Sequence, residues 1–144
     1  MSDSDQGQTR KRILLVEDEI NMQELVKYRL RENNYDVAIA ADGYSALSMV
    51  RSYKPDLVIL DLMLPKIDGY TICRLLKFNE GSKSIPVLIL SARSSQDDIQ
   101  RGLDMGADAY MTKPYEPADL LAKIKELLEK KPEEPPSSAE PAAS

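Results

Sequence analysis

Four short apolar runs in this sequence each lead directly into a polar group capable of chemistry. Ile13-Leu14-Leu15-Val16 runs into Glu17-Asp18-Glu19, and Leu57-Val58-Ile59-Leu60 into Asp61. Val87-Leu88-Ile89-Leu90 is followed by Ser91-Ala92, and Ala109-Tyr110-Met111-Thr112 by Lys113-Pro114. Taken singly, each is an ordinary loop residue. Together they offer carboxylates, a hydroxyl and an ammonium to one edge of any fold that aligns the four runs. Crowded carboxylates raise one another's pKa unless a cation is present. The economical cation is a hard divalent ion such as Mg²⁺, held by oxygens and keeping waters that a phosphate can replace. Asp61 follows four apolar residues and precedes Leu62-Met63-Leu64, which predicts a partly buried carboxylate. The chain has no histidine. That excludes a Ser-His-Asp or Cys-His pair, a His-ligated zinc site and a phosphohistidine formed on the chain itself. The lone Cys73 sits beside Ile72 on an apolar helical face and reads as packing, not redox chemistry.

The elements that must position these groups are legible as alternating β-type and helical patterns. A weaker run, Val37-Ala38-Ile39-Ala40, joins the four above to give five strands. Continuous apolar runs, unlike alternating ones, mark strands buried on both faces, as in a parallel sheet covered by helices. Between them, spacing near 3.6 groups Met22, Leu25, Val26 and Leu30, then Ala46, Leu47 and Val50, then Ile72, Leu75 and Leu76. Ile99 and Leu103 mark a fourth helix closed by Gly106 as a C-terminal cap. Leu120, Leu121, Ile124, Leu127 and Leu128 mark a fifth, with Pro117 in its first turn. Strict alternation predicts a doubly wound α/β domain, a five-stranded parallel (βα)5 sheet of flavodoxin-like order 2-1-3-4-5. In such sheets ligands bind beyond the carboxyl ends of the strands, at the switch point between strands 1 and 3. That is where Glu17, Asp18 and Asp61 fall.

Val16-Glu17-Asp18-Glu19, Asp61 with Pro65 and Asp68-Gly69, Ser91-Ala92, and the run Gly106 to Pro114 together resemble the receiver domain of bacterial two-component response regulators. The likeness extends from Arg12 to about Lys130. It implies that Asp61 is the phosphoacceptor, that Glu17, Asp18, Asp61 and the backbone carbonyl of Met63 hold Mg²⁺, and that Lys113 and Ser91 meet the phosphoryl oxygens. It further implies that Tyr110 follows the movement of Ser91, and that the Lys113-Pro114 peptide bond is cis. The acid pair is Glu-Asp where Asp-Asp is also common. A haloacid-dehalogenase-type hydrolase would need an acid two places after the aspartate, where Met63 stands. A dinucleotide or flavin site would need a glycine-rich phosphate loop after strand 1, where acids stand instead. The resemblance therefore implies a signalling switch and not a metabolic enzyme, phosphorylated by a sensor histidine kinase or phosphotransfer protein. The resemblance also implies that Met63 and Arg93 border the approach of hydrolytic water, which neither side chain can activate.

The 144 residues carry 19 bases and 24 acids, a net charge of −5 with pI near 4.8. This balance, a polar start and the lack of any membrane-length apolar run predict a cytoplasmic protein without membrane contact. They also predict no direct nucleic-acid binding, with output through an unidentified protein target. Residues 1–11 and the Pro/Glu/Ala/Ser-rich 131–144 read as disordered tails around a domain at 12–130. Ser91-Ala92-Arg93 and the Gly102–Asp108 stretch look most like receivers of winged-helix regulators. A fragment of a larger DNA-binding regulator, or a phosphorylation-independent module, is the alternative. Where those receivers carry a strand-5 acid this chain has Ala109, while Lys123 supplies the helix-5 base, which predicts a monomer or weak dimer through helix 4, strand 5 and helix 5.

Overall fold

The structure is a computed structural model and describes residues 10–129. The two tails predicted at 1–11 and 131–144, apart from Arg10 and Lys11, lie outside the described residues, as does Lys130. The elements are β1 (Arg12–Val16), α1 (Ile20–Glu32), β2 (Asp36–Ala40), α2 (Gly43–Tyr53) and β3 (Leu57–Leu60), then α3 (Gly69–Lys77), β4 (Val87–Ser91), α4 (Gln96–Asp104), β5 (Ala109–Thr112) and α5 (Pro117–Glu129). All strand pairs are parallel, in the order β2-β1-β3-β4-β5. The predicted topology is the observed one. Ser91 is the last residue of β4, one further than the apolar run suggested.

The pleat divides each strand between two cores. Leu14, Val16, Val58, Leu60, Val87 and Ile89 face α2 and α3, while Ile13, Leu15, Leu57, Ile59, Leu88 and Leu90 face α1 and α5. Every one of these residues is buried, which explains why the strands read as continuous apolar runs. Four helices start on a side-chain cap. Glu19, Asp42, Asp68 and Ser95 accept backbone N–H groups from the first turns of α1, α2, α3 and α4.

The helical faces are narrower than the sequence pattern predicts. Leu25, Leu75 and Leu103 are 44%, 47% and 40% exposed, whereas Val26, Leu30, Ile72 and Leu76 are buried. In α4 the reason is visible. Gly102 is the buried residue, and a Cβ there would stand 2.9 Å from Ile89 Cδ1 and from Tyr110 Cδ2. The helix approaches the sheet through a glycine, so Leu103 turns outward. Beyond it, Gly106 takes φ +103, donates its N–H to the Leu103 carbonyl, and Ala107 donates to that of Gly102. These two bonds form the predicted C-terminal cap. Among the described residues, no helix is long and apolar enough to cross a membrane.

Candidate functional site

The ladders of the sheet deliver the polar groups to one place. Val16 pairs with Leu60, so the residues that follow them, Glu17 and Asp61, leave the sheet side by side. Their backbones stay tied to it, with the Asp61 N–H on the Val16 carbonyl at 3.1 Å and the Glu17 N–H on that of Ala40 at 3.0 Å. Ser91 pairs with Thr112, and the next N–H, of Lys113, bonds the Ser91 carbonyl at 2.8 Å. The Lys113-Pro114 bond is cis, as the resemblance implied.

Glu17, Asp61 and Ser91 are buried, while Asp18 is exposed. One carboxylate oxygen from each of Glu17, Asp18 and Asp61 lies within 4.8 Å of the others. The Lys113 ammonium stands between two of them, 3.4 Å from Glu17 Oε1 and 3.5 Å from Asp61 Oδ2. The other Asp61 oxygen accepts the Met63 N–H at 3.1 Å. Burial, and then the charge of Asp61, push the Glu17 carboxyl above the ordinary carboxylate range, and Lys113 offsets this only partly. Burial alone would lower the Lys113 ammonium. The facing charges of Asp61 and Glu17 outweigh it and leave the ammonium raised, so it stays charged.

Three carboxylates thus face one ammonium, with oxygen donors only. A further positive charge would offset the burial and the repulsion that lift Glu17, and the donor set suits a hard divalent cation and not a thiophilic one. The residues fit Mg²⁺.

Ser91 Oγ accepts the Arg93 N–H at 3.1 Å, and the Arg93 carbonyl accepts the Tyr110 hydroxyl at 2.8 Å. One residue of the β4–α4 loop therefore connects the Ser91 hydroxyl to the Tyr110 ring. The Arg93 side chain turns the other way, its Nε 3.3 Å from Met63 Sδ and one guanidinium nitrogen 3.8 Å from Asp98 Oδ1.

The third acid of the Glu17-Asp18-Glu19 run lies outside the cluster. Glu19 spends its side chain on the N–H groups of Asn21 and Met22 at the start of α1, so it caps a helix and stays out of the cluster. An acid immediately before a helical pattern is a capping signal, and the sequence carries it. Sequence reasoning also passed over Gln23, whose amide donates to the Glu17 carbonyl at 2.7 Å and braces the acidic loop from α1. Its signal is slight, a glutamine on a helical surface.

With this geometry in place, the comparisons with known proteins are specific. Residues 13–125 match the response regulator receiver domain family. The chain is 40% identical over 126 residues to the DNA-binding response regulator MtrA of Mycobacterium tuberculosis, covering 88% of this chain and 54% of that protein. It superposes with a TM-score of 0.81 on a putative response regulator from Chloroflexus aurantiacus, at 34% identity over 85% of this chain and 100% of that one. The receiver domain of the sensor histidine kinase PA1611 from Pseudomonas aeruginosa, solved with a magnesium ion coordinated in its active-site cleft, gives 0.78 at 30% identity, with 85% and 100% covered. The chain belongs to the response regulator receiver domain family, whose members are signalling switches of two-component systems.

One expectation is corrected here. The acidic balance predicted no nucleic-acid binding, but the curated relatives are DNA-binding response regulators, and the chain spans about half their length. Net charge describes the residues at hand and says nothing of what the remaining half of a relative does.

Proposed function

We propose that Asp61 accepts a phosphoryl group from a phosphohistidine on a sensor kinase or phosphotransfer protein. An Asp61 oxygen attacks phosphorus, the P–N bond breaks, and the released imidazole takes up a proton. Lys113, already bridging Glu17 and Asp61, is placed to follow the charge that spreads over the transferring oxygens. Glu17, Asp18, Asp61 and the Met63 carbonyl would hold Mg²⁺, which neutralises phosphoryl charge when bound. Ser91, whose oxygen accepts from Arg93 in this structure, has its hydrogen free to donate to a phosphoryl oxygen. Turning Ser91 toward the new group loosens the Arg93 backbone, and with it the carbonyl that holds Tyr110. The ring position then reports on Asp61.

The observation that carries this reading is the ammonium of Lys113 shared between two buried carboxylates at the carboxyl edge of the sheet. The test is labelling with acetyl phosphate and Mg²⁺. Asp61→Asn abolishes labelling, whereas Asp68→Asn retains it, because Asp68 is occupied as the cap of α3. Stoichiometric labelling of Asp61→Asn would refute the assignment.

A further inference from the structure

At the sheet edge opposite the acidic site, the last turns of α2 and α3 flank the residues entering β3 and β4 and leave a groove of about 680 Å³. Leu47, Val50, Leu76 and Ile85 line it, and Leu75 stands in it nearly half exposed. Phe78, the residue that ends α3, is 72% exposed. A contiguous apolar surface with a polar rim marks an interaction site.

The charges around it are one-sided. The chain as a whole carries −5, yet the charged side chains lining this groove are Arg51 and Lys54. Among the described residues neither forms an ion pair. The neighbouring acid Glu80 is taken by Lys83 at 3.0 Å. An apolar trough between two helices, rimmed by unpaired cations, complements a third helix with an apolar stripe and acidic flanks.

We propose that the α2–α3 groove docks an acidic amphipathic helix of a partner protein, whether or not Asp61 is phosphorylated. The independence follows from position. The groove lies at the ends where the strands begin, a strand length of roughly 16 Å from the ends that carry Asp61 and Lys113.

The experiment titrates the 144-residue chain with a synthetic helical peptide bearing leucines at i, i+3, i+4 and i+7 and glutamates elsewhere. A counterpart carries lysines for the glutamates, and amide shifts are followed by NMR. The acidic peptide should saturate and shift Leu47, Leu75 and Ile85. The lysine peptide should bind at least about tenfold more weakly, and Arg51→Glu with Lys54→Glu should weaken the acidic peptide about tenfold. Both positions are exposed, so acetyl phosphate labelling of that variant should equal the parent's, and labelling should leave peptide affinity unchanged. Equal binding of the two peptides, shifts elsewhere, no saturation by either, affinity that changes on labelling, or indifference to the charge reversal would each overturn the proposal. So would shifts at these residues on diluting the protein alone, which assign the groove to a second copy, or on deleting 130–144, which assign it to the chain's own end. Failure of the parent to accept phosphate would count against the Asp61 reading and leave this one standing.

Discussion

Arg93 and Met63, from the loops after β4 and β3, meet across the mouth of the acidic site, with Nε 3.3 Å from Sδ. In the proposed reaction, the resemblance to receivers puts these two places beside the approach of water to a phosphoryl group on Asp61. A thioether orients water poorly, and a guanidinium only donates. The contact, steadied by Asp98 at 3.8 Å from the guanidinium, therefore covers the approach without assisting it. The phosphorylated state should be long-lived. Met63→Asn and Arg93→Glu should each speed its decay about tenfold, a barrier change of roughly 1.4 kcal/mol. Decay measured after removal of the donor checks this, and unchanged rates would remove the two side chains from the account.

Mg²⁺ affinity should rest on Glu17 and Asp18 together. The double variant Glu17→Gln, Asp18→Asn leaves Asp61 and Lys113 as a nearly neutral pair, since Lys113 Nζ already lies 3.5 Å from Asp61 Oδ2. Parent protein should gain thermal stability with rising Mg²⁺, as any ligand of the folded state produces. The double variant should show no such gain at the same concentrations. An equal gain in both would place the ion elsewhere.

The Asp108 carboxylate ties three elements. One oxygen accepts the Val87 N–H at the start of β4 and the Lys77 ammonium from the end of α3, each at 2.8 Å, and Lys77 also reaches the Ile85 carbonyl. Asp108→Ala leaves the N–H of a buried residue and an ammonium without this partner and should cost about 1–3 kcal/mol in urea denaturation. Asp108→Asn keeps an acceptor and should cost less. A loss within error of zero for Asp108→Ala would mean that water replaces the carboxylate freely.

What the sequence discloses and what it hides have separate causes. The strands and their order are legible because parallel strands must be apolar on both faces, as Leu57–Leu60 and Val87–Leu90 are. Glu17 and Asp61 are legible because they directly follow such runs, and Lys113 because it follows the shorter half-buried run of β5; strand register then brings them together. Helix rotation is not legible at this level. It depends on which residue touches the sheet, and Gly102 in α4 lets the backbone itself make that contact while Leu103 faces out. The role of Glu19 is open in the sequence for a related reason, since a carboxylate next to a metal-type cluster and a carboxylate capping a helix look alike until the first-turn N–H groups are located. The side-chain meeting of Arg93 with Met63 spans two loops and is set by rotamers that no spacing encodes.

Cys73 is buried between α3 and the sheet, where burial pushes its thiol up to about 11. A thiol raised to about 11 holds roughly a hundredfold less thiolate at pH 8 than an unburied one. Reaction with a disulfide reagent should be slower by at least that factor in native than in urea-unfolded protein. The linkage has a defined sign. Folding favours the neutral thiol, so its contribution is intact below pH 9 and is lost as pH rises toward 11. Relative to Cys73→Ala, the parent should lose stability over that window, and parallel pH profiles would refute the shift.

Gly69 opens α3 directly against the segment that carries Asp61, the proposed phosphoacceptor. A Cβ there would stand 2.7 Å from the Asp61 carbonyl oxygen and 2.5 Å from Leu62 Cα, while the Gly69 N–H already bonds the Leu62 carbonyl at 3.0 Å. Both contacts are backbone, so no rotamer change relieves them. Alanine at a first helical position would ordinarily be neutral or favourable. Here Gly69→Ala should cost about 1–3 kcal/mol, because it forces the exit of β3 outward. That same displacement moves the Asp61 carboxylate relative to Lys113, so phosphorylation by acetyl phosphate should slow about tenfold, the effect of roughly 1.4 kcal/mol on the barrier. Gly81→Ala is the control, since its added Cβ would meet only the far end of the Asn79 side chain, at 3.2 Å. Stability and labelling rate measured on both variants check this. A Gly69→Ala protein indistinguishable from Gly81→Ala would show that the β3–α3 segment yields without cost and does not hold Asp61 in place.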